Sequence, residues 1–128
     1  MAKPIKNRFI ESFKYAFTGI FQFFKKEKNG QIELVCAIMT IGIAFLLKCT
    51  ISEWLVILLC IAMVICAEML NTVIEKIGDL IDTSFNKNIQ YIKDVSAGAV
   101  LICSIIAAII AALIFLPKIW NLIQPGLH

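Results

Sequence analysis

The sequence predicts an all-α integral membrane protein: an N-terminal amphipathic surface helix followed by three membrane-spanning helices. Three observations carry that expectation. Hydrophobic residues make up 60% of the 128-residue chain and mean hydropathy is +0.89, whereas soluble domains are close to half apolar. The apolar residues fall into three blocks, each long enough to cross a hydrocarbon core of about 30 Å. Ahead of them, Phe and Lys alternate at helical spacing. The length permits one domain of about three spans.

The surface helix is expected within residues 1–30, over 3–27. Phe9, Phe13, Phe17 and Phe21 recur every four residues, joined by Ile5, Ala16, Ile20 and Phe24 on one broad stripe. Lys6, Lys14, Gln22 and Lys25 lie largely elsewhere around the wheel. A Phe-rich face opposed by Lys suits the headgroup boundary, although an ordinary helix packed on protein shows the same stripe. Asn29-Gly30 is a turn dipeptide and is expected to end the helix. The three-span bundle then occupies 31–118, with the first span over 31–47 and a polar turn over 48–53. The second span begins at Trp54, an interface anchor, and runs past Asn71. A polar loop over 82–91 leads to a third span over 95–116, ending at Pro117-Lys118 and leaving an outward-facing tail, 119–128. Ala97-Gly98-Ala99, Ala107-Ala108 and Ala111-Ala112 are small enough to act as helix-packing positions.

Basic residues set the orientation. Lys3, Lys6, Arg8, Lys14, Lys25, Lys26 and Lys28 precede the first span, and Lys76, Lys87 and Lys93 join them between spans two and three. The opposite side has Lys48 and Lys118. The positive-inside rule therefore places the N-terminus in the cytoplasm. No short apolar core with a small-residue cleavage site opens the chain, so no cleavable signal is expected. Cys36, Cys49, Cys60, Cys66 and Cys103 form no CxxC pair and His128 is remote, which argues against structural zinc or a disulfide framework.

The candidate chemistry is a column of polar residues at the end of span two. Glu68, Asn71, Glu75 and Asp79 fall on one narrow helix face at about 100° per residue. Glu68 lies about 21 Å along the axis from Trp54 and Glu75 about 31 Å, so the column starts inside the hydrocarbon and leaves it near Glu75. A carboxylate in hydrocarbon costs at least a few kcal/mol. Carboxylates at such a boundary bind hard cations and accept protons. Glu27 and Glu33, at the junction before span one, lie at the same membrane face. Glu27 beside the column would make a two-carboxylate Mg²⁺ site completed by phosphate oxygens and water. A base, a metal and Lys93 at one boundary suit phosphoryl transfer to a membrane-bound hydroxyl. Soluble-kinase and P-loop signatures are missing, so any nucleotide site is built differently.

Plainer roles exist for several of these groups. Asp79 and Asp82 suit solvated positions, Glu75 could pair with Lys76 or Lys93, and Lys93-Asp94 could be an anchor with a helix N-terminal charge. Glu68 fits a plain role least, because Val64, Ile65, Met69 and Leu70 around it are apolar. A small proton or ion transporter using the same carboxylates is the competing class. A relay needs ionisable groups through the full depth of the bilayer, but no acid lies between Glu53 and Glu68 or after Asp94, so the site is one-sided.

The chain resembles the small prokaryotic diacylglycerol kinase family, which includes undecaprenol kinases. The likeness rests on Glu68-Met69-Leu70-Asn71-Thr72-Val73-Ile74-Glu75, then Asp79, Lys93-Asp94 and Ala97-Gly98-Ala99-Val100, and extends upstream through Arg8, Phe13-Lys14-Tyr15-Ala16, Gly19 and Glu27-Lys28-Asn29. It implies a homotrimer in the bacterial cytoplasmic (inner) membrane with active sites shared between subunits, using ATP and Mg²⁺, with no nucleic-acid partner. By position, Glu68 would be the general base on the lipid hydroxyl and Asn71 would orient groups around it. Glu27 and Glu75 would hold Mg²⁺ and, through it, ATP. Arg8, Tyr15, Asp79, Ser84, Phe85, Asn86, Lys93 and Asp94 would complete the ATP site. Arg8, Ser12, Ala16, Glu33 and Ala97 would join Glu68 in contacting lipid. Phe85-Asn86 stands where the family often carries Tyr-His, a departure that touches nucleotide contacts but not metal or base. Diacylglycerol and undecaprenol are both candidate acceptors. The Ala-Gly-Ala run and Phe115-Leu116-Pro117-Lys118 look more like the undecaprenol kinase branch.

Overall fold

A computed structural model describes residues 5–82, 84 and 86–124, with side chains from Arg8 onward. These residues form four helices and no strand: α1 (Ile5–Lys26), α2 (Lys28–Leu46), α3 (Ile51–Ile81) and α4 (Lys87–Ile123). The last three are long and apolar enough to cross a bilayer. α3 packs chiefly on α4, α2 packs on α3, and α1 on α2. Few apolar side chains are buried, among them Phe23, Ala44, Ile57 and Phe115, while rows of Ile and Leu point outward from all three long helices. Such a surface suits lipid tails and not water. The four Phe residues of the α1 stripe are also exposed.

The joint between α1 and α2 is tighter than expected. It is a single residue, Glu27, which leaves helical geometry at φ −95 and ψ 122. Asn29 and Gly30 do not break the chain; they sit in the first turn of α2, which begins three residues before the expected span. The reason is packing. Phe23 is buried against Gly30, and a Cβ there would come within 2.7 Å of its ring. Overpacking of this kind costs about 1–3 kcal/mol. Gly30→Ala is therefore expected to lower the thermal unfolding midpoint in detergent. Phe23→Leu in the same chain should recover part of the loss.

At the far end of α2, Lys48 adopts φ 50 and the chain reverses within 47–50. The polar turn is shorter than the expected 48–53, because Thr50 and Glu53 form a capping box that starts α3 at Ile51. The Thr50 N–H donates to Glu53 Oε2 at 2.6 Å and the Glu53 N–H to Thr50 Oγ1 at 3.3 Å. Ala44, Ile57 and Phe115 meet here under Trp54, which packs edge-on against Phe45 with ring centroids 4.7 Å apart. Lys118 pairs with Glu53 at 3.0 Å. These contacts close this end of the bundle and leave the polar chemistry to the other.

Two further expectations are corrected. The α3–α4 loop is short: α4 starts at Lys87, with the Asn86 Oδ1 accepting the Asn88 N–H at 2.9 Å as an N-cap. Helix α4 also continues through Pro117 to Ile123, so the first part of the expected tail is helical; 125–128 lie outside the described residues. Proline removes one ladder bond, but a helix of 37 residues carries ladder on both sides of it, a tolerance common in membrane helices. Among the small residues of α4, Ala111 packs against the Ala44, Ile57 and Phe115 cluster, while Ala107, Ala108 and Ala111 also line an open groove and a Cβ at Gly98 would meet nothing within 4 Å.

Candidate active site

Glu68 and Asn71 are the two buried charged or polar side chains, 4% and 5% exposed, among the described residues. Their placement follows from helical periodicity: α3 turns this face toward α2 and α4 while Leu70, Val73 and Ile77 look outward. Glu68 Oε1 accepts a 2.7 Å hydrogen bond from Asn29 Nδ2, in the first turn of α2. Asn71 uses both ends of its amide. Nδ2 donates to Glu75 Oε1 at 3.2 Å, and Oδ1 accepts from Ser96 Oγ of α4 at 2.5 Å. The column is thus fixed from both neighbouring helices rather than only aligned along its own.

Further out, Lys93 of α4 reaches across to Asp79 at 2.5 Å. The Lys93 side chain passes close over Gly78, where a Cβ would stand 3.0 Å from its Cε. Asp79, Asp82, Ser84, Asn86, Gln90 and Lys93 surround a polar pocket of about 290 Å³ at the mouth of the α3–α4 loop. The hydroxyl and N–H of Ser84 both donate to Asp82 Oδ1, at 2.5 and 2.8 Å. These bonds hold the Asp82 carboxyl below its ordinary range. Because the folded value is the lower one, their contribution to the loop is present above the usual carboxylate range and is lost as pH falls through the lowered value. Asp94 accepts from Gln90 Nε2 at 2.7 Å.

Glu27, at the α1–α2 joint, pairs with Lys76 at 3.0 Å. Glu33 lies one helical stretch further along α2, with Oε2 buried and unpartnered among the described residues. It stands at the polar end of an apolar groove of about 460 Å³ formed by α2, α3 and α4, whose walls include Ala37, Ile57, Ile65 and Ala108.

The structure therefore brings together Glu68, Asn71 and Glu75, and gathers Asp79, Ser84, Asn86 and Lys93 around one pocket. Glu27 and Glu33 border the same end of the bundle. Arg8, Ser12, Tyr15 and Ala16 stay exposed on α1 and line neither cavity, and Ala97 faces outward on α4. Phe85 lies outside the described residues. Three partners escaped site assignment from sequence: Asn29, Ser96 and Lys76. Each acquires its role from a residue on another element. Asn29 stood in the Glu27-Lys28-Asn29 stretch of the family likeness and Lys76 beside Glu75, whereas nothing pointed to Ser96.

These features define a multi-pass membrane protein with a one-sided acidic site, its column of polar residues running between an apolar groove and a polar pocket nearer the α3–α4 loop. The comparisons with known proteins agree with that class. The family profile "Prokaryotic diacylglycerol kinase" matches residues 14–115. An undecaprenol kinase of Bacillus subtilis is 39% identical over 113 residues, covering 88% of this chain and 92% of that protein. A diacylglycerol kinase of Synechocystis is 32% identical over 114 residues, covering 88% of this chain and 65% of that protein. The chain belongs to the prokaryotic diacylglycerol kinase family, a family of membrane lipid kinases.

Proposed function

We propose that this lipid kinase uses ATP with Mg²⁺ to phosphorylate the hydroxyl of a membrane lipid at the cytoplasmic face, with undecaprenol as the preferred acceptor and diacylglycerol as the second candidate. The single observation that carries the reading is the buried Glu68 carboxylate, held by Asn29 where the groove approaches the column. An acyl or prenyl chain in the groove would leave its hydroxyl at the polar end, near Glu33 and Glu68. Glu68 then accepts the hydroxyl proton as the oxygen attacks the γ-phosphorus, while the bond from the γ-phosphorus to the β,γ-bridging oxygen breaks and ADP leaves. Asn71 keeps the Glu75 side chain aligned, and Lys93 offers a cation to the phosphates.

The carboxylates fit Mg²⁺. Among the described residues no three His, Cys, Asp or Glu side chains converge, so the chain offers separate hard oxygen ligands and not a closed cage. Mg²⁺ is commonly held by one or two carboxylates plus substrate phosphates. Glu27 and Glu75 would hold it, and its chemistry is to neutralise charge on the transferring phosphate.

The preference for undecaprenol rests on the higher identity and fuller coverage of the Bacillus subtilis relative. Assembly as a homotrimer would enclose a site that one chain leaves open, and would bring the exposed Arg8 and Tyr15 of α1 to it. The acceptor is tested by offering both lipids to one sample in mixed micelles. Undecaprenol should acquire phosphate faster; faster phosphorylation of diacylglycerol would reverse the assignment.

A further inference from the structure

We infer that Lys76 is an exchangeable ligand of this site, holding the Glu27 carboxylate until Mg²⁺ takes it and then contacting the nucleotide phosphates. The inference rests on the ATP and Mg²⁺ reading above and adds a residue to which that reading gives no role. Lys76 Nζ lies 3.0 Å from Glu27 Oε1, with the Lys76 side chain 63% exposed and that of Glu27 27% exposed. The ammonium is therefore partly hydrated and bound to one carboxylate, an arrangement that breaks at small cost. Glu27 is also the one non-helical residue between α1 and α2, so its carboxylate sits on the joint itself and not inside a packed helix face.

The position of Lys76 on α3 supplies the second half of the argument. It follows Glu75 directly and lies one turn before Asp79, its i+3 neighbour on the helix surface. Asp79 borders the polar pocket, where it is engaged by Lys93 from α4. The site thus contains two matched ion pairs, Lys76 with Glu27 and Lys93 with Asp79. Each pair joins α3 to a neighbouring part of the chain. A magnesium nucleotide carries both signs of charge, so its arrival can exchange the partners of the first pair. The Glu27 carboxylate moves from ammonium to Mg²⁺, and the Lys76 ammonium moves to a phosphate oxygen. Glu27 and Lys76 each keep an oppositely charged partner in both arrangements, which lets a lysine stand beside a metal-binding carboxylate.

The exchange predicts opposite signs for two measurements on one variant. Lys76→Met removes the cation that competes for Glu27, so Mn²⁺ binding without nucleotide, followed by electron paramagnetic resonance, should tighten about two- to fivefold. The same change removes a phosphate ligand, so KM for ATP should rise about tenfold, the scale of one charge-assisted hydrogen bond. Lys76→Arg should return both values toward those of the unaltered protein. In a Glu27→Gln background, Lys76→Met should no longer alter Mn²⁺ affinity, because the competition is gone. If Lys76 only props the joint, Lys76→Met weakens Mn²⁺ binding, and that result overturns the inference, as do unchanged Mn²⁺ affinity and KM. Should Lys76→Met fail to fold, Lys76→Gln is read in the same way. Failure of the unaltered protein to transfer phosphate from ATP would defeat the underlying reading instead.

Discussion

Glu68→Gln should abolish turnover while leaving nucleotide binding in place. Glutamine keeps an oxygen at the position that accepts the Asn29 amide bond, so the burial and the link between α2 and α3 survive. What disappears is the capacity to take a proton. Removing a general base costs on the order of 10²–10⁴ in rate. The expected result is therefore a kcat lower by that factor, with ATP affinity, measured by a fluorescent analogue, within about twofold of the unaltered protein. Near-normal turnover would remove Glu68 from the base role. Loss of ATP binding alongside turnover would show that the residue holds the site together.

Glu75→Gln should act on a different quantity. Glu75 Oε1 accepts from Asn71 at 3.2 Å, and glutamine preserves that acceptor while deleting the charge. Metal affinity depends on the charge. The Mg²⁺ concentration for half-maximal rate is expected to rise roughly ten- to hundredfold, with a parallel increase in KM for ATP, the range carried by one charged interaction. A Mg²⁺ titration of activity at fixed ATP reads this directly. Unchanged metal dependence would take Glu75 out of the metal site and leave it as the alignment partner of Asn71.

The column was legible because it lies on one element. Glu68, Asn71, Glu75 and Asp79 needed only helical periodicity and the cost of charge in hydrocarbon to stand out. The three spans were legible for the same reason, as unbroken apolar runs. What sequence could not give was the set of partners across elements. Asn29 on Glu68, Ser96 on Asn71 and Lys76 on Glu27 depend on how α2 and α4 lie against α3. Spacing along α3 offers Lys76 to Glu75, but the helix joint brings Glu27 to it instead.

The boundary errors each have a local cause. Asn29-Gly30 looked like a turn, but the break falls at Glu27 and both residues lie in the first turn of α2, with Phe23 packed on Gly30. Thr50 and Glu53 had the spacing of a capping box, yet within a polar stretch they were read as turn. Pro117 looked like a stop, but the long apolar helix around it continues. Of the small α4 residues that suggested close packing, Ala111 packs against the core, and it lines the groove together with Ala107 and Ala108. That groove is the part of the site least visible in sequence, because its walls come from three helices.

The central claim, that this chain moves the γ-phosphoryl group of ATP to a membrane alcohol, is tested most directly by label transfer. Purified protein in mixed micelles would receive γ-labelled ATP, with undecaprenol and diacylglycerol in separate reactions and Mg²⁺ present or chelated. The account predicts label in lipid only with Mg²⁺, and more of it in undecaprenol. No label in either lipid, from folded protein with Mg²⁺ and ATP supplied, would contradict it and turn attention to proton movement through the same carboxylates.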